Sequence, residues 1–203
     1  MMILLSGCGK TRGSTNPEEQ ILQSMKEKYN ITVEVEHIEE KTGVQAFQER
    51  FYEAAVVPKG SGEMFHVYLG KKSKNVADDY PRLLYDDMIR AFAEEEIDYQ
   101  QNLDITSYNI LYRPSEEKWT PEDGQNVFDY LSQSDTEIVF VIEMGSDDVQ
   151  TAEDIYTFAR SLEEKRIQFT LKVEKSGDTV FISSSRNSRL KRKERIISML
   201  IEK

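Results

Sequence analysis

Apolar positions along this chain recur at two spacings, and the switches between them mark its elements. Asn16-Pro17-Glu18-Glu19 is a helix start, with Asn as cap, Pro in the first turn and acids at the positive end of the dipole. Ile21, Leu22, Met25 and Tyr29 then share one helical face. The spacing next drops to two: Ile31, Val33 and Val35 alternate with Thr32 and Glu34, which predicts a half-buried strand. Residues 51–57 and 64–69 predict two further strands, joined by a turn through Pro58, Gly60 and Gly62. Asp79-Tyr80-Pro81 opens a second helix, with Leu84, Met88 and Phe92 expected on its buried side.

Residues 101–104 read as a seam, and 105–112 as a strand beyond it. Thr120-Pro121-Glu122-Asp123 predicts a capped helix carrying Val127, Phe128 and Leu131. The unbroken apolar run 138–142 predicts a central strand covered on both faces. Asp148 or Thr151 begins a helix with Ile155, Phe158, Ala159 and Leu162 on one side. Phe169, Leu171 and Val173 alternate, Ser176-Gly177-Asp178 turns, and Val180 and Ile182 return as a hairpin. The predicted fold class is α+β in two small units. Residues 16–100 form a helix plus antiparallel sheet in the order α-β-β-β-α. Residues 101–203 form a mixed-sheet β-α-β-α-β-β unit with a basic C-terminal helix.

Composition narrows the function classes. At 203 residues the chain holds one large domain or two small ones, and 38% hydrophobic with 31% charged residues gives a modest core. A net charge of -11 argues against nucleic acid as a partner. That charge is unevenly placed. In the tail Arg186, Arg189, Lys191, Arg192, Lys193, Arg195 and Lys203 stand against Glu194 and Glu202 alone. With a single cysteine the chain can form no internal disulfide, and with only two histidines it lacks Cys/His zinc spacing.

That cysteine carries the sharpest signal. Leu5-Ser6-Gly7-Cys8 fits a lipobox, an apolar residue and two small ones before the thiol that takes a diacylglycerol group. Residues 1–8 then read as a residual lipoprotein signal, and the polar tract 9–15 as a flexible tether. The expected address is the outer face of the cell membrane, with the membrane itself a partner through the lipid on Cys8. The apolar run before Ser6 is shorter than the roughly 7–15 residues of a full signal and has no basic residue ahead of it. On this reading the true start codon lies upstream. Two rivals stand beside it. Gly7-Cys8-Gly9-Lys10-Thr11 resembles the end of a phosphate-binding loop, but Leu4 occupies the position of the required first glycine. Alternatively, residues 1–8 are an apolar strand.

A wider resemblance rests on Lys28-Tyr29, on Tyr52, Ala54, Val56 and Pro58-Lys59, on Phe65-His66-Val67-Tyr68 and on Asp78-Asp79-Tyr80. Over residues 20–96 the chain resembles uncharacterised small lipoproteins of Gram-positive bacteria of the Bacillus and Listeria kind. The resemblance implies a surface location and no particular reaction.

Candidate chemistry is sparse, and no catalytic residue, metal or cofactor is assigned. Acids cluster at Asp147, Asp148, Glu153 and Asp154 and at Glu94, Glu95, Glu96 and Asp98, without the calcium-loop pattern. Asp148 reads as a helix cap and the glutamate run as a solvated face. His66 is expected to face solvent between inward Phe65 and Val67, and His37 to pair with Glu36 or Glu39. Ser183, Ser184 and Ser185 lie in no nucleophile elbow. Trp119 with Tyr108, Tyr112 and Tyr130 reads either as an aromatic ligand platform or as a core edge. Leu190, Ile197, Leu200 and Ile201 are spaced as a helix headed by Lys191, Arg192, Lys193 and Arg195. Those four cations either contact an anionic membrane or cover a helix that closes the second unit. The functional expectation is a lipid-anchored protein with a non-catalytic role, binding a surface ligand or protein. A cell-envelope enzyme using an acidic site and an immunity or exclusion lipoprotein are the alternatives.

Overall fold

The computed structural model describes residues 16–43, 48–121, 124, 126–145, 148–186 and 188–202. Asn16 caps helix α1 (Pro17–Tyr29) through its side chain, which accepts the Glu18 N–H. The helix stops at Asn30, which turns left-handed at φ 57° and returns its N–H to the Lys26 carbonyl at 3.0 Å. Strands β1 (Val33–Lys41), β2 (Phe51–Pro58), β3 (Phe65–Gly70) and β4 (Val76–Asp78) follow as a four-stranded antiparallel meander, sheet A. Ile21 and Met25 of α1 pack on Val33, Ala54, Val56, Phe65, Val67 and Leu69 of one face.

β1 runs well beyond the apolar alternation that announces it. A register slip between Val35 and His37 lets the polar stretch keep pairing with β2. Cross-strand charges replace apolar contacts there, as in Lys41 with Glu53 at 3.8 Å. β4 is a strand the pattern did not reveal, since three residues are too few to establish a period.

Helix α2 (Pro81–Tyr99) starts at its proline as expected, but its buried face is rotated. Tyr85, Ile89, Phe92, Ala93 and Glu96 are buried, Leu84 is half-buried and Met88 is 38% exposed. The cause is tertiary. Tyr85 stacks on Tyr130 with ring centroids 4.5 Å apart, and the helix joins the core of the second sheet. Tyr80 and Leu83, just ahead, pack on the sheet A core instead.

Strand β5 (Asp104–Leu111), helix α3 (Val127–Gln133), strand β6 (Glu137–Glu143), helix α4 (Val149–Glu164), strands β7 (Gln168–Lys175) and β8 (Asp178–Ser184) and helix α5 (Lys193–Ile201) complete the chain. Sheet B has the order β5-β6-β7-β8, with β6 and β7 parallel and the other pairs antiparallel. The α+β layout of an antiparallel sheet followed by a mixed sheet and a C-terminal helix is therefore the observed fold.

Two sequence expectations are corrected here. α3 begins at Val127 rather than near Pro121, because Asn126 accepts the N–H groups of Phe128 and Asp129 while Asp129 accepts that of Asn126. Its inward residues are Tyr130 and Leu131, and Phe128 stays 49% exposed. Strand β6 is central but covered on one face only: Ile138, Phe140 and Ile142 are fully buried, whereas Val139 and Val141 are half-buried. Helices α2, α3, α4 and α5 all contribute to that single core. No described helix is long and apolar enough to cross a membrane.

Candidate anion-binding groove

The chain makes a tight passage where α4 gives way to β7. The Ile167 N–H reaches back to the Leu162 carbonyl at 3.2 Å, and Arg166 sits left-handed at φ 60°. This is the helix stop in which glycine is the usual residue, because an L side chain there costs about 1 kcal/mol. Next to it, β8 ends at Ser184, and Ser185 and Ser188 exchange two backbone hydrogen bonds at 2.8 and 3.1 Å. Glu163 ties this returning segment to α4. Its carboxylate accepts the Leu190 N–H at 2.8 Å and the Ser184 hydroxyl at 3.4 Å, and it also pairs with Arg160.

Between these elements lies a groove of about 610 Å³, whose cationic lining is Arg160, Arg166, Arg186 and Arg189. Arg160 is neutralised by Glu163 and by Glu164, the latter at 3.1 Å. Among the described residues Arg166, Arg186 and Arg189 have no carboxylate partner, and all three are exposed. The rest of the lining is mostly polar, including Ser132, Gln168 and Ser185, with Ile167 and Leu190 as its apolar members. Concentrated guanidinium forks on a chain of net charge -11 make this the described surface best suited to an anion.

A second cavity, about 700 Å³, is lined by Arg50, Lys71, Lys72 and Glu49. Two of the three cations named, Arg50 and Lys71, are already paired. Arg50 and Lys71 both reach Glu40 at 2.8 Å, and Glu49 accepts the backbone N–H groups of Lys72 and Ser73.

The C-terminal cations named from sequence divide. Ile196 and Leu200 of α5 are buried in the sheet B core, so the helix closes that core with its apolar stripe. Lys193 pairs with Glu153 at 2.8 Å, and its ammonium is held above its ordinary pKa by that hydrogen bond. Lys191, Arg192 and Arg195 are exposed. Arg189 and Leu190 also line a smaller hollow with Lys191 and Phe181, so the groove continues toward the start of α5.

The remaining candidates fall into structural places. His37 and His66 both pair with Ala55 in sheet A and share its face away from α1. His66 does lie between fully buried Phe65 and Val67. Its backbone N–H donates to Asp79 at 2.6 Å, with Nδ1 3.7 Å from the same carboxylate. His37 is exposed and lies near Glu39. Among the described residues no three His, Cys, Asp or Glu side chains are placed to hold a metal ion.

The acidic clusters do not converge. Asp148 caps α4 through the Thr151 N–H at 2.8 Å, Glu94 accepts the Tyr108 hydroxyl at 3.0 Å, and Glu96 pairs with Lys165. Of the two readings of the aromatic group, the core edge is the one observed: Trp119 is 2% exposed and meets buried Tyr130 edge-on at 5.6 Å.

One group was named from sequence only for its resemblance, without its pairing. Asp78, at 0% exposure, accepts from Lys28 at 2.7 Å, from the Tyr29 hydroxyl at 3.0 Å and from the Tyr80 N–H at 3.1 Å. Lys28 also donates to the Ser115 carbonyl, and Asp78 and Ser115 pair through their backbones. Burial pushes the Asp78 carboxyl up, while Lys28, Tyr29 and Tyr80 pull the other way. Burial also raises the Tyr29 hydroxyl, with Asp78 adding to it. This cluster pins α1 and sheet A to the segment leading into the second core, and it is a structural pin rather than an open site.

Leu5, Ser6, Gly7, Cys8, the tether 9–15, Glu122, Asp123 and Asp147 lie outside the described residues. The chain matches no protein-family model, no curated protein and no solved structure. The groove was not legible in the sequence because its arginines come from two separate segments, the end of α4 with the link after it and the return beyond β8. Only the basic run after residue 185 hinted at it.

Proposed function

We propose that the chain is a lipid-anchored binding protein of the outer membrane face, and that the arginine groove is where it takes an anionic ligand. The observation that carries the binding role is three guanidiniums, without carboxylate partners among the described residues, lining one groove of a strongly acidic chain. The anchor rests on Leu5-Ser6-Gly7-Cys8, followed by a polar tract that ends where Asn16 caps the first helix. Buried methylenes contribute roughly 0.8 kcal/mol each, so a diacyl group on Cys8 holds a protein stably where a single chain does not.

Membrane fractionation of the native product beside a Cys8→Ala variant tests the address. The native form is expected in the membrane fraction with a diacylglycerol mass on Cys8, and the variant in the soluble fraction. Two soluble, unmodified forms would overturn the anchor.

A further inference from the structure

We propose that the groove lined by Arg166, Arg186 and Arg189 binds a small phosphorylated sugar or polyol. The proposal rests on the anion-binding reading above and narrows it to one class of ligand. Charge gives the first part of the class. Arg160 is already satisfied by Glu163 and Glu164, but the other three guanidiniums meet no carboxylate among the described residues. A phosphate monoester carries close to two charges at neutral pH and three acceptor oxygens, which suits several guanidinium forks at once. A single carboxylate offers two oxygens and one charge, and leaves part of that cluster uncompensated.

Size and lining give the rest. The groove, at about 610 Å³, is larger than a phosphate group alone fills and falls within the range of small-molecule sites. Ser185 offers a hydroxyl, the Gln168 amide oxygen can accept while its Nε2 donates to the Ser134 carbonyl, and Glu164 is exposed enough to accept from ligand hydroxyls. Among the described residues no aromatic ring lines the groove itself, and Phe181 belongs to the adjoining hollow, so a nucleobase within the groove would find no stacking partner. A hydroxylated body bearing one phosphate fits this lining.

Arg166 supplies an independent handle. Its backbone is left-handed, where glycine is the relaxed choice, so Arg166→Gly removes a guanidinium while relieving the chain. Loss of binding in that variant therefore cannot be laid to unfolding.

Titration calorimetry on the detergent-solubilised full chain, at fixed ionic strength, tests the proposal with glucose 6-phosphate, inorganic phosphate, citrate and glucose. Glucose 6-phosphate is expected to bind saturably, inorganic phosphate and citrate more weakly, and glucose not at all. Arg166→Gly is expected to weaken glucose 6-phosphate at least tenfold with Tm unchanged or raised, and Arg186→Ala/Arg189→Ala to weaken it at least as much. Citrate bound as tightly as glucose 6-phosphate, with the same arginine dependence, would overturn the phosphate class and leave the anion-binding reading standing. Arginine-dependent binding to phosphatidylglycerol vesicles in preference to glucose 6-phosphate would assign the patch to headgroups and overturn the soluble ligand. No arginine-dependent binding of any anion would overturn both.

Discussion

Sheet A and sheet B each hold four strands, but they are closed by different means. Sheet A has α1 on one face, and beside that small core lies a fully buried carboxylate held by Lys28, Tyr29 and Tyr80. Sheet B is floored by four helices over an unbroken apolar layer that includes Phe140, Phe158, Phe169 and Leu171. A core built of apolar layers tolerates small shifts of register between them. A buried ion pair tolerates few, because a partner displaced from it leaves a charge without compensation. The contrast assigns position to the polar pin at the junction and bulk stability to the apolar core.

Two variants break the comparison with the largest effects. Phe158→Ala, removing a ring that meets Phe140 edge-on at 5.2 Å, is expected to cost about 3–5 kcal/mol in denaturant unfolding. Asp78→Ala, which strands Lys28, is expected to cost a similar amount, about 3–5 kcal/mol. The two differ in how they are rescued. Adding Lys28→Met to an Asp78→Leu background is expected to recover most of the loss, since replacing both partners of a buried pair by apolar groups is often near neutral. A double variant no more stable than either single one would show that the pin contributes more than its charges.

Smaller effects sharpen the same contrast. Asp148→Ala removes the cap of α4 and is expected to cost about 1 kcal/mol, read as a lowered Tm. Asp86 on α2 gives a pH-dependent test. Burial pushes its carboxyl up, but hydrogen bonds from Arg90 at 2.6 Å and Tyr112 at 2.7 Å outweigh this and hold it below its ordinary value. Its contribution is therefore fully present above the unfolded value, near pH 4, and is lost as pH falls through the lower folded value. The stability advantage of the native chain over Asp86→Asn should shrink below about pH 4. A constant difference across that range would remove Asp86 from the account.

Legibility in the sequence followed the range of the interactions. Asn16, Pro81 and Asp148 announce helix starts because a cap is decided within three residues, and Asn126 with Asp129 was readable by the same rule. The buried face of α2 was not, because Leu84 and Tyr85 both fit a helical stripe and only the stack on Tyr130, far along the chain, selects Tyr85. The run 138–142 hid its one-sidedness because its half-buried valines are as apolar as its buried residues. Asp78 entered only through the resemblance, since nothing local reveals a lysine fifty positions earlier. The groove was least legible of all. Arg160 and Arg166 belong to the end of a helix, Arg186 and Arg189 to a strand's return, and only the fold brings them to one cavity.

Amide mapping by ¹⁵N-correlation NMR during a glucose 6-phosphate titration tests the central claim most directly. Shifts are expected to saturate together at Arg166, Gln168, Ser185, Arg189 and Leu190, with sheet A unmoved. Shifts confined to the cavity of Arg50, Lys71 and Lys72, or none at millimolar ligand, would contradict it.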